Sequence, residues 1–409
     1  MKTPIPDYLE EVLAELRDVD DGATADYIPE LASADPDRSA LAITSADGST
    51  YSAGDAEVAF TIQSISKPFA YAAAIMDRGL DGVLEVVGVE PSGEAFDELS
   101  LEGETHRPKN PMINAGAITA HALLVGPTTT AADRVERIRS LCSRLAGREL
   151  AVDERVAASE LETADRNLAI AHMLRTYGIV DDPAHELVEG YVRQCALLVT
   201  VEDLSMMAAT LAAGGVQPRT GEQLMPPEVA RQVMAVMAAA GMYDAAGDWL
   251  TRVGIPAKSG VAGGMVGVLP DRAGISAFSP RLDARGNSVR GRMAFERLSA
   301  DMGMHLFAAD RGLPDRVELD DDGTAATLVL RGTVEFTAAA QLLDLMATLR
   351  RDTVLLDVSR VHTVSDVGRR MTLEGLRRLR LDGVRVQLHD PGEVLPDPDL
   401  GDGGRPERR

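Results

Sequence analysis

A chain of 409 residues with 41 Lys and Arg against 64 Asp and Glu carries a net charge of −23 at neutral pH, and 45% of it is hydrophobic. That balance excludes disorder over most of the chain, and so acidic a surface disfavours nucleic acid or an anionic membrane as partner. No apolar run approaches the ~18 residues of a membrane helix. The acidic N-terminus lacks the apolar stretch of an export signal, and Cys142 and Cys195 alone supply neither a disulfide framework nor a zinc pattern. A cytoplasmic globular protein of two or three domains is expected.

In chain order, Leu9, Val12, Leu13 and Leu16 mark an amphipathic helix. Ala40 to Thr44 and Val58 to Ile62 read as strands, and Ser64 to Arg78 as a helix with Pro68 in its first turn, where a missing N–H costs little. Residues 110 to 250 are mostly helical, with Ala-rich stretches at Ala115 to Leu124, Ala131 to Ala146 and Leu204 to Ala213. Lys258 to Leu269 switches to a strand pattern, and a second strand lies near Gly274 to Phe278. Strands at both ends of a helical middle predict one α+β domain whose sheet joins its two ends.

A Gly/Pro/Asp stretch around Ala308 to Asp315 marks a boundary. Beyond it strand and helix alternate: Ala325 to Leu330, Thr337 to Leu349, Val354 to Val358, a helix holding Met371, Leu373, Leu376 and Leu379, then Val384 to Leu388. This predicts a small α/β domain. The expected division is a first domain over 1–308, a linker at 309–314, a second domain over 315–391, and a disordered Pro/Gly/Asp-rich tail over 392–409.

Lysine is scarce. Only Lys2, Lys67, Lys109 and Lys258 occur, so arginine does the generic surface work. Two of the four sit in small-residue motifs. Gln63-Ser64-Ile65-Ser66-Lys67 lies at a strand-to-helix junction, and three-residue spacing puts Ser64 and Lys67 on one face of the first helical turn. There a lysine amine whose pKa is depressed by burial can act as general base on the serine, and the helix N-terminus favours an oxyanion. Alone, the motif reads equally as an N-capping serine beside a surface lysine. Lys258-Ser259-Gly260-Val261 strengthens the chemical reading, since Ser-x-x-Lys with Lys-Ser/Thr-Gly on a strand is the pairing used by penicillin-recognising enzymes. His106, His121 and His172 show no metal spacing or triad arrangement and read as structural or solvated, and Cys195 as a small buried hydrophobe.

Longer runs carry a resemblance. They include Asp26-Tyr27-Ile28-Pro29-Glu30-Leu31, Phe60-Thr61-Ile62-Gln63-Ser64-Ile65-Ser66-Lys67 and Asn110-Pro111-Met112-Ile113-Asn114-Ala115-Gly116. Ser159-Glu160 with Asp165-Arg166-Asn167, Tyr191 with Gln194-Cys195, Gly241-Met242-Tyr243-Asp244, Ile255 to Val261 and Gly286 to Gly291 follow in order. Over roughly residues 8–306 the chain resembles the serine-dependent glutaminases, relatives of the serine β-lactamases and transpeptidases. The resemblance implies an antiparallel sheet with a helical subdomain. It implies Ser64 as nucleophile, Lys67 as its base, Tyr191 and Tyr243 as proton relays, and the N–H groups of Ser64 and Val261 as an oxyanion hole. Tyr27, Asn114, Glu160, Asn167 and Tyr191 would hold the amino and carboxylate groups of L-glutamine. Such a zwitterion needs one anion and several neutral donors, and this set has both. Glu160 and Asn167, seven apart, are expected to project from one helix face. The implied reaction is hydrolysis to L-glutamate and ammonia, with no metal or organic cofactor, in a homodimer or homotetramer. Ala196 departs from the family, which often has serine there.

The second domain resembles a STAS domain, through Leu328 to Gly332, Val334 to Thr337, Leu356 to Val361 and the Val364-Ser365-Asp366-Val367-Gly368 loop. In phosphorylated members that loop reads Asp-Ser; here Ser365-Asp366 puts an acid at the acceptor position, which argues for a docking or stabilising appendage of unknown partner. Two other readings stay open at this level. One is a β-lactamase or transpeptidase, which normally adds a Ser-x-Asn or Tyr-x-Asn element. The other is a non-catalytic sensor, which would tend to lose the Ser64–Lys67 pair.

Overall fold

The protein is described by a computed structural model covering residues 4–93, 100–126, 129–307, 317–401 and 403–409. The linker expected at 309–314 lies outside the described residues. The chain divides into two compact units, Glu10–Glu296 and a second made of Met1–Leu9 with Arg297–Arg409.

The larger unit is α+β. Its sheet is built from β1 (Ala40–Ser45), β2 (Thr50–Gly54), β5 (Ala257–Ser259), β6 (Gly264–Leu269) and β7 (Ala273–Phe278), and a two-stranded ribbon pairs β3 (Phe60–Thr61) with β4 (Leu198–Val199). The sheet order is β2-β1-β7-β6-β5, antiparallel throughout, with Ile43 opposite both Tyr51 and Ile275 and Lys258 opposite Val266. Strands from the two ends of the unit therefore meet at β1–β7, as their sequence positions predict. β6 and β7 are buried along their whole length, which fits a sheet covered on both faces. One cover is the helix Val201–Ala212, which lies across β7, β1 and β6. It seats closely because Gly274 on β7 has no side chain: a Cβ there would stand 2.1 Å from the Ser205 carbonyl oxygen.

Local signals set the helix limits. The helix Ala131–Ala146 starts at a capping box between Thr130 and Asp133 and ends at Gly147 in the left-handed region, the bounds its sequence predicts. The strand pattern of 258–269 is instead two strands, β5 and β6, joined by a turn in which Gly263 takes φ +96°.

The smaller unit carries a mixed sheet. It comprises β8 (Val317–Asp321), β9 (Ala325–Val334), β10 (Thr353–Val364), β11 (Arg385–His389) and β12 (Glu407–Arg408), in that spatial order. Only β8–β9 is antiparallel. The helices Phe336–Thr348 and Asp366–Leu381 supply the crossovers and pack on each other, over a core that includes Leu328, Leu356, Leu376 and Leu388. The described part of the tail, where composition predicts disorder, is anchored to the smaller unit instead. Leu395 and Leu400 are buried, and β12 adds to the sheet edge with Gln387 opposite Glu407. Two apolar anchors and a ladder outweigh the Pro/Gly content. Among the described residues no helix is long and apolar enough to cross a membrane.

Candidate active site

Pairing of β3 with β4 fixes the approach to Ser64. Ile62 N–H donates to the Leu197 carbonyl at 2.7 Å, and the chain then turns through Gln63 at φ +50°. A left-handed Gln is a costly conformation, of the kind that surrounding structure holds at functional turns. A 3₁₀ turn at Gln63–Ile65 follows, then the helix Ser66–Arg78 with Lys67 in its first turn. The N–H groups opening such a turn have no intrahelical acceptor, so Ser64 carries a donor next to its own hydroxyl.

Both motif lysines are fully buried. Lys67 Nζ donates to Asn114 Oδ1 at 2.7 Å, and Asn114 Nδ2 donates to Asn167 Oδ1 at 3.0 Å. On β5, Lys258 Nζ donates to the Tyr243 hydroxyl at 2.5 Å and to the Ser259 carbonyl at 2.7 Å. Tyr243, held at φ +55°, lies between the two amines: its ring centroid is 3.9 Å from Lys258 Nζ and 5.7 Å from Lys67 Nζ. Burial, and the Lys67 charge beside it, hold the Lys258 amine well below its ordinary pKa. Ser259 Oγ donates to Asn287 Oδ1 at 2.6 Å and pins the strand. Gly260 lets that strand edge lie against the Ser64 turn, since a Cβ there would meet the Ile62 carbonyl at 3.0 Å.

A cavity of about 270 Å³ opens over this turn. Tyr27, Ser64, Asn114, Glu160, Asn167, Tyr191 and Val261 all line it, while Lys67 and Tyr243 lie buried beneath. Glu160 and Asn167 reach it differently from the sequence expectation. They are on separate helices, Glu154–Glu162 and Asp165–Thr176. The break comes at Thr163, whose Oγ1 donates to the Glu160 carbonyl at 3.2 Å, and an acid-led turn restarts at Asp165. The two side chains converge from a helix–helix corner.

Gln63, quoted in the motif without a role, is the residue sequence reasoning passed over. Its Nε2 donates to Glu160 Oε2 at 3.2 Å, a link across 97 positions. Burial lifts the Glu160 carboxyl to about 7, against the opposing pull of Gln63 and Lys67. Tyr191 is pushed well above its ordinary range by burial and by Cys195 and Glu160 nearby, and the buried Cys195 thiol rises to about 12. Among the described residues no cluster of His, Cys, Asp or Glu could hold a metal ion. A buried amine one turn from a cavity-lining serine, one carboxylate and several amide and hydroxyl groups can bind an amino-acid head and transfer an acyl group to serine.

Known proteins share much of this sequence and fold. A family model described as glutaminase matches residues 22–307. The chain is 52% identical over 403 residues to a glutaminase of Corynebacterium efficiens, covering 98% of this chain and 95% of the relative, and equally identical to a glutaminase of Corynebacterium glutamicum, with 98% and 97% covered. A glutaminase of Trichormus variabilis matches at 45% identity over 75% of this chain and 91% of its own. Among solved structures, native Mglu superposes with a TM-score of 0.75 at 51% identity, covering 95% of this chain and 99% of that one. Mglu in its L-glutamate binding form, in the presence of 4.3 M NaCl, superposes at 0.74 and 49%, with 97% and 100% covered. A match of that identity over nearly the whole chain, on a fold that gathers the family's motifs around one cavity, leaves one assignment: the chain belongs to the glutaminase family.

Proposed function

We propose that the protein hydrolyses L-glutamine to L-glutamate and ammonia through an acyl-enzyme on Ser64. The observation that carries this reading is the shared cavity. Ser64 opens into the same space as Glu160, Asn114 and Asn167, with Lys67 one turn behind. Glu160 takes the substrate ammonium, and Tyr27, Asn114, Asn167 and Tyr191 take its carboxylate and backbone. Ser64 Oγ attacks the side-chain amide carbon as Lys67 removes its proton, and the N–H groups of Ser64 and Val261 hold the oxyanion. The amide C–N bond breaks as Tyr191 and Lys67 return a proton to the leaving nitrogen, and ammonia departs. Water then attacks the γ-glutamyl ester, its proton passing to the same base and from it to Ser64 Oγ as the ester C–O bond breaks, and glutamate leaves. Tyr243, bonded to the weakly basic Lys258, serves as the second relay. The two-motif arrangement is that of the β-lactamase and transpeptidase fold. That Mglu has been solved in its glutamate form and in its L-glutamate binding form supports the product side of this cycle.

The smaller unit we read as a STAS-like appendage. The β9–helix–β10–helix–β11 succession supports this, as does Ser365 Oγ capping the second helix at the Gly368 N–H, 3.0 Å away. Relatives that match only about three-quarters of this chain are glutaminases too, so the appendage is not needed for the chemistry.

The test is ammonia release from glutamine by wild type and Ser64→Ala, with the γ-glutamyl adduct on Ser64 sought by mass spectrometry after rapid quench. Equal release by both proteins sinks the mechanism. Asparagine, run in parallel, should be disfavoured by about 1–3 kcal/mol for its missing methylene.

A further inference from the structure

A second cavity, of about 230 Å³, is lined by residues of the helix Ala246–Arg252 and of the turn 283–287, and shares no lining residue with the first. Three arginines border it, and each already has an acid. Arg252 pairs with Asp248 at 2.8 Å, Arg285 with Asp244 at 3.2 Å and Arg292 with Glu296 at 2.5 Å. Partly exposed pairs of this kind make a balanced rim and little more. The turn is not balanced. Asp283 Oδ1 accepts the N–H groups of Arg285 and Asn287 at 2.9 and 3.0 Å, and the carboxylate makes no ion pair with any described residue. Asn287 is 2% exposed, and its Oδ1 accepts from Ser259 Oγ at 2.6 Å. Its Nδ2 donates to no described residue and is left to the cavity. A donor so deeply placed costs free energy that a ligand oxygen can recover.

One unmatched carboxylate and one unmatched amide donor, on a single turn, call for two complementary groups on one small molecule. A cationic donor answers Asp283, and an oxygen acceptor answers Asn287. An anion alone would meet the Asp283 charge, and an amine alone would leave Asn287 unmet. Met242, Trp249 and Val253, all buried, give the cavity an apolar wall against which a short side chain can lie. The paired rim neither demands nor rejects net charge.

We propose that this cavity is a second site for a free α-amino acid, its ammonium on Asp283 and its carboxylate on Asn287 Nδ2. No serine, threonine, cysteine or lysine is among its lining residues to take up an acyl group, so it binds and does not react. It adjoins the reacting site at two points. The Ser259 carbonyl, on the residue whose hydroxyl Asn287 holds, accepts from Lys258 Nζ at 2.7 Å, and Met242 directly precedes Tyr243. A bound amino acid therefore lies against both supports of the Lys258–Tyr243 pair, whatever reaction Ser64 performs.

The chain supplies its own probe, because Trp249 is its only tryptophan and lines this cavity. Fluorescence excited beyond the tyrosine band should shift saturably with L-alanine and with L-glutamate, titrated to ~50 mM at constant ionic strength. Acetate and methylamine, each half of the amino-acid head, should not reproduce it. Asp283→Asn keeps the oxygen that holds the turn and removes the charge, and should raise the midpoint about tenfold, the worth of one charge-assisted hydrogen bond. Ala245→Leu takes up space in the cavity from outside the turn and should abolish the shift. Glu160→Gln removes the carboxylate of the first cavity and should leave the midpoint within about twofold. No saturable shift with either amino acid overturns the proposal. So does a midpoint that follows Glu160→Gln, since the signal then comes from the first cavity, and so does an unaltered midpoint in a folded Asp283→Asn or Ala245→Leu. An equal response to acetate or to methylamine overturns the class of ligand.

Discussion

A carboxyl group lifted to about 7 cannot hold an ammonium at every pH, and Glu160 is such a group. Below that value it is neutral in the free protein, and in the role proposed for it Glu160 would lose its attraction for the substrate head. We therefore expect kcat/KM to fall about tenfold per pH unit on the acid side of 7, the slope set by one essential ionisation, and expect Glu160→Gln to flatten that limb while raising KM. The same shift has a stability sign. A carboxyl whose folded pKa lies above its unfolded value binds its proton more tightly when folded, so its burial destabilises the fold as pH rises through that interval. Glu160→Gln should accordingly raise Tm at pH 8 and change it little at pH 4, a difference that thermal unfolding at the two pH values would reveal. Residues of this kind were unevenly legible. Lys67 and Lys258 stood out by scarcity, and both are buried at the site. Gln63 and Asn287 carried no such mark: each matters through a partner 97 or 28 positions away, and only the folded chain brings those pairs together.

Elements were easier where the signal is local. The capping box and left-handed glycine around Ala131–Ala146 bound that helix in sequence as in space. The corner at Thr163 was missed because nothing in Thr-Ala-Asp forbids continuing a helix, and the break is visible only in the folded backbone, where Thr163 leaves the helical region at φ −108° and ψ 13°. The seat of the helix Val201–Ala212 was likewise invisible, since Gly274 reads as an ordinary strand weakness until the helix is laid over it. In the fold it is a clearance: Ser205 O at 2.1 Å and Ala209 N at 2.3 Å from a notional Cβ are backbone atoms that cannot swing away. Gly274→Ala should cost about 3 kcal/mol by overpacking, lowering Tm by roughly 6–12 °C in a unit of this size. A melting temperature unchanged by that substitution would show that the helix does not rest on β7 as described.

For the whole molecule the decisive quantity is the charge of −23, which the sequence states outright, although how the units partition, with Met1–Leu9 joining the C-terminal one, it does not. Glutamine has no net charge, so the excess of acids does not serve to attract it. Much of that excess is on the surface, as at Asp18, Asp20 and Asp21, all exposed. Like charges at such density repel one another across distances that dilute salt leaves open, and compaction brings them closer. Screening shortens that reach from ~10 Å at 0.1 M to ~3 Å at 1 M salt. The contacts that would hold substrate are short and shielded by burial, and lie inside either distance. Salt should therefore strengthen the fold and spare the site: Tm rising from low salt to ~1 M NaCl and levelling off as screening saturates, with kcat/KM for glutamine held within about twofold. Thermal unfolding and initial rates over one salt series would read both. A falling Tm would mean that arginine–carboxylate pairs, not repulsion, dominate the surface; activity collapsing while Tm rises would place a salt-sensitive ion pair in the substrate's path.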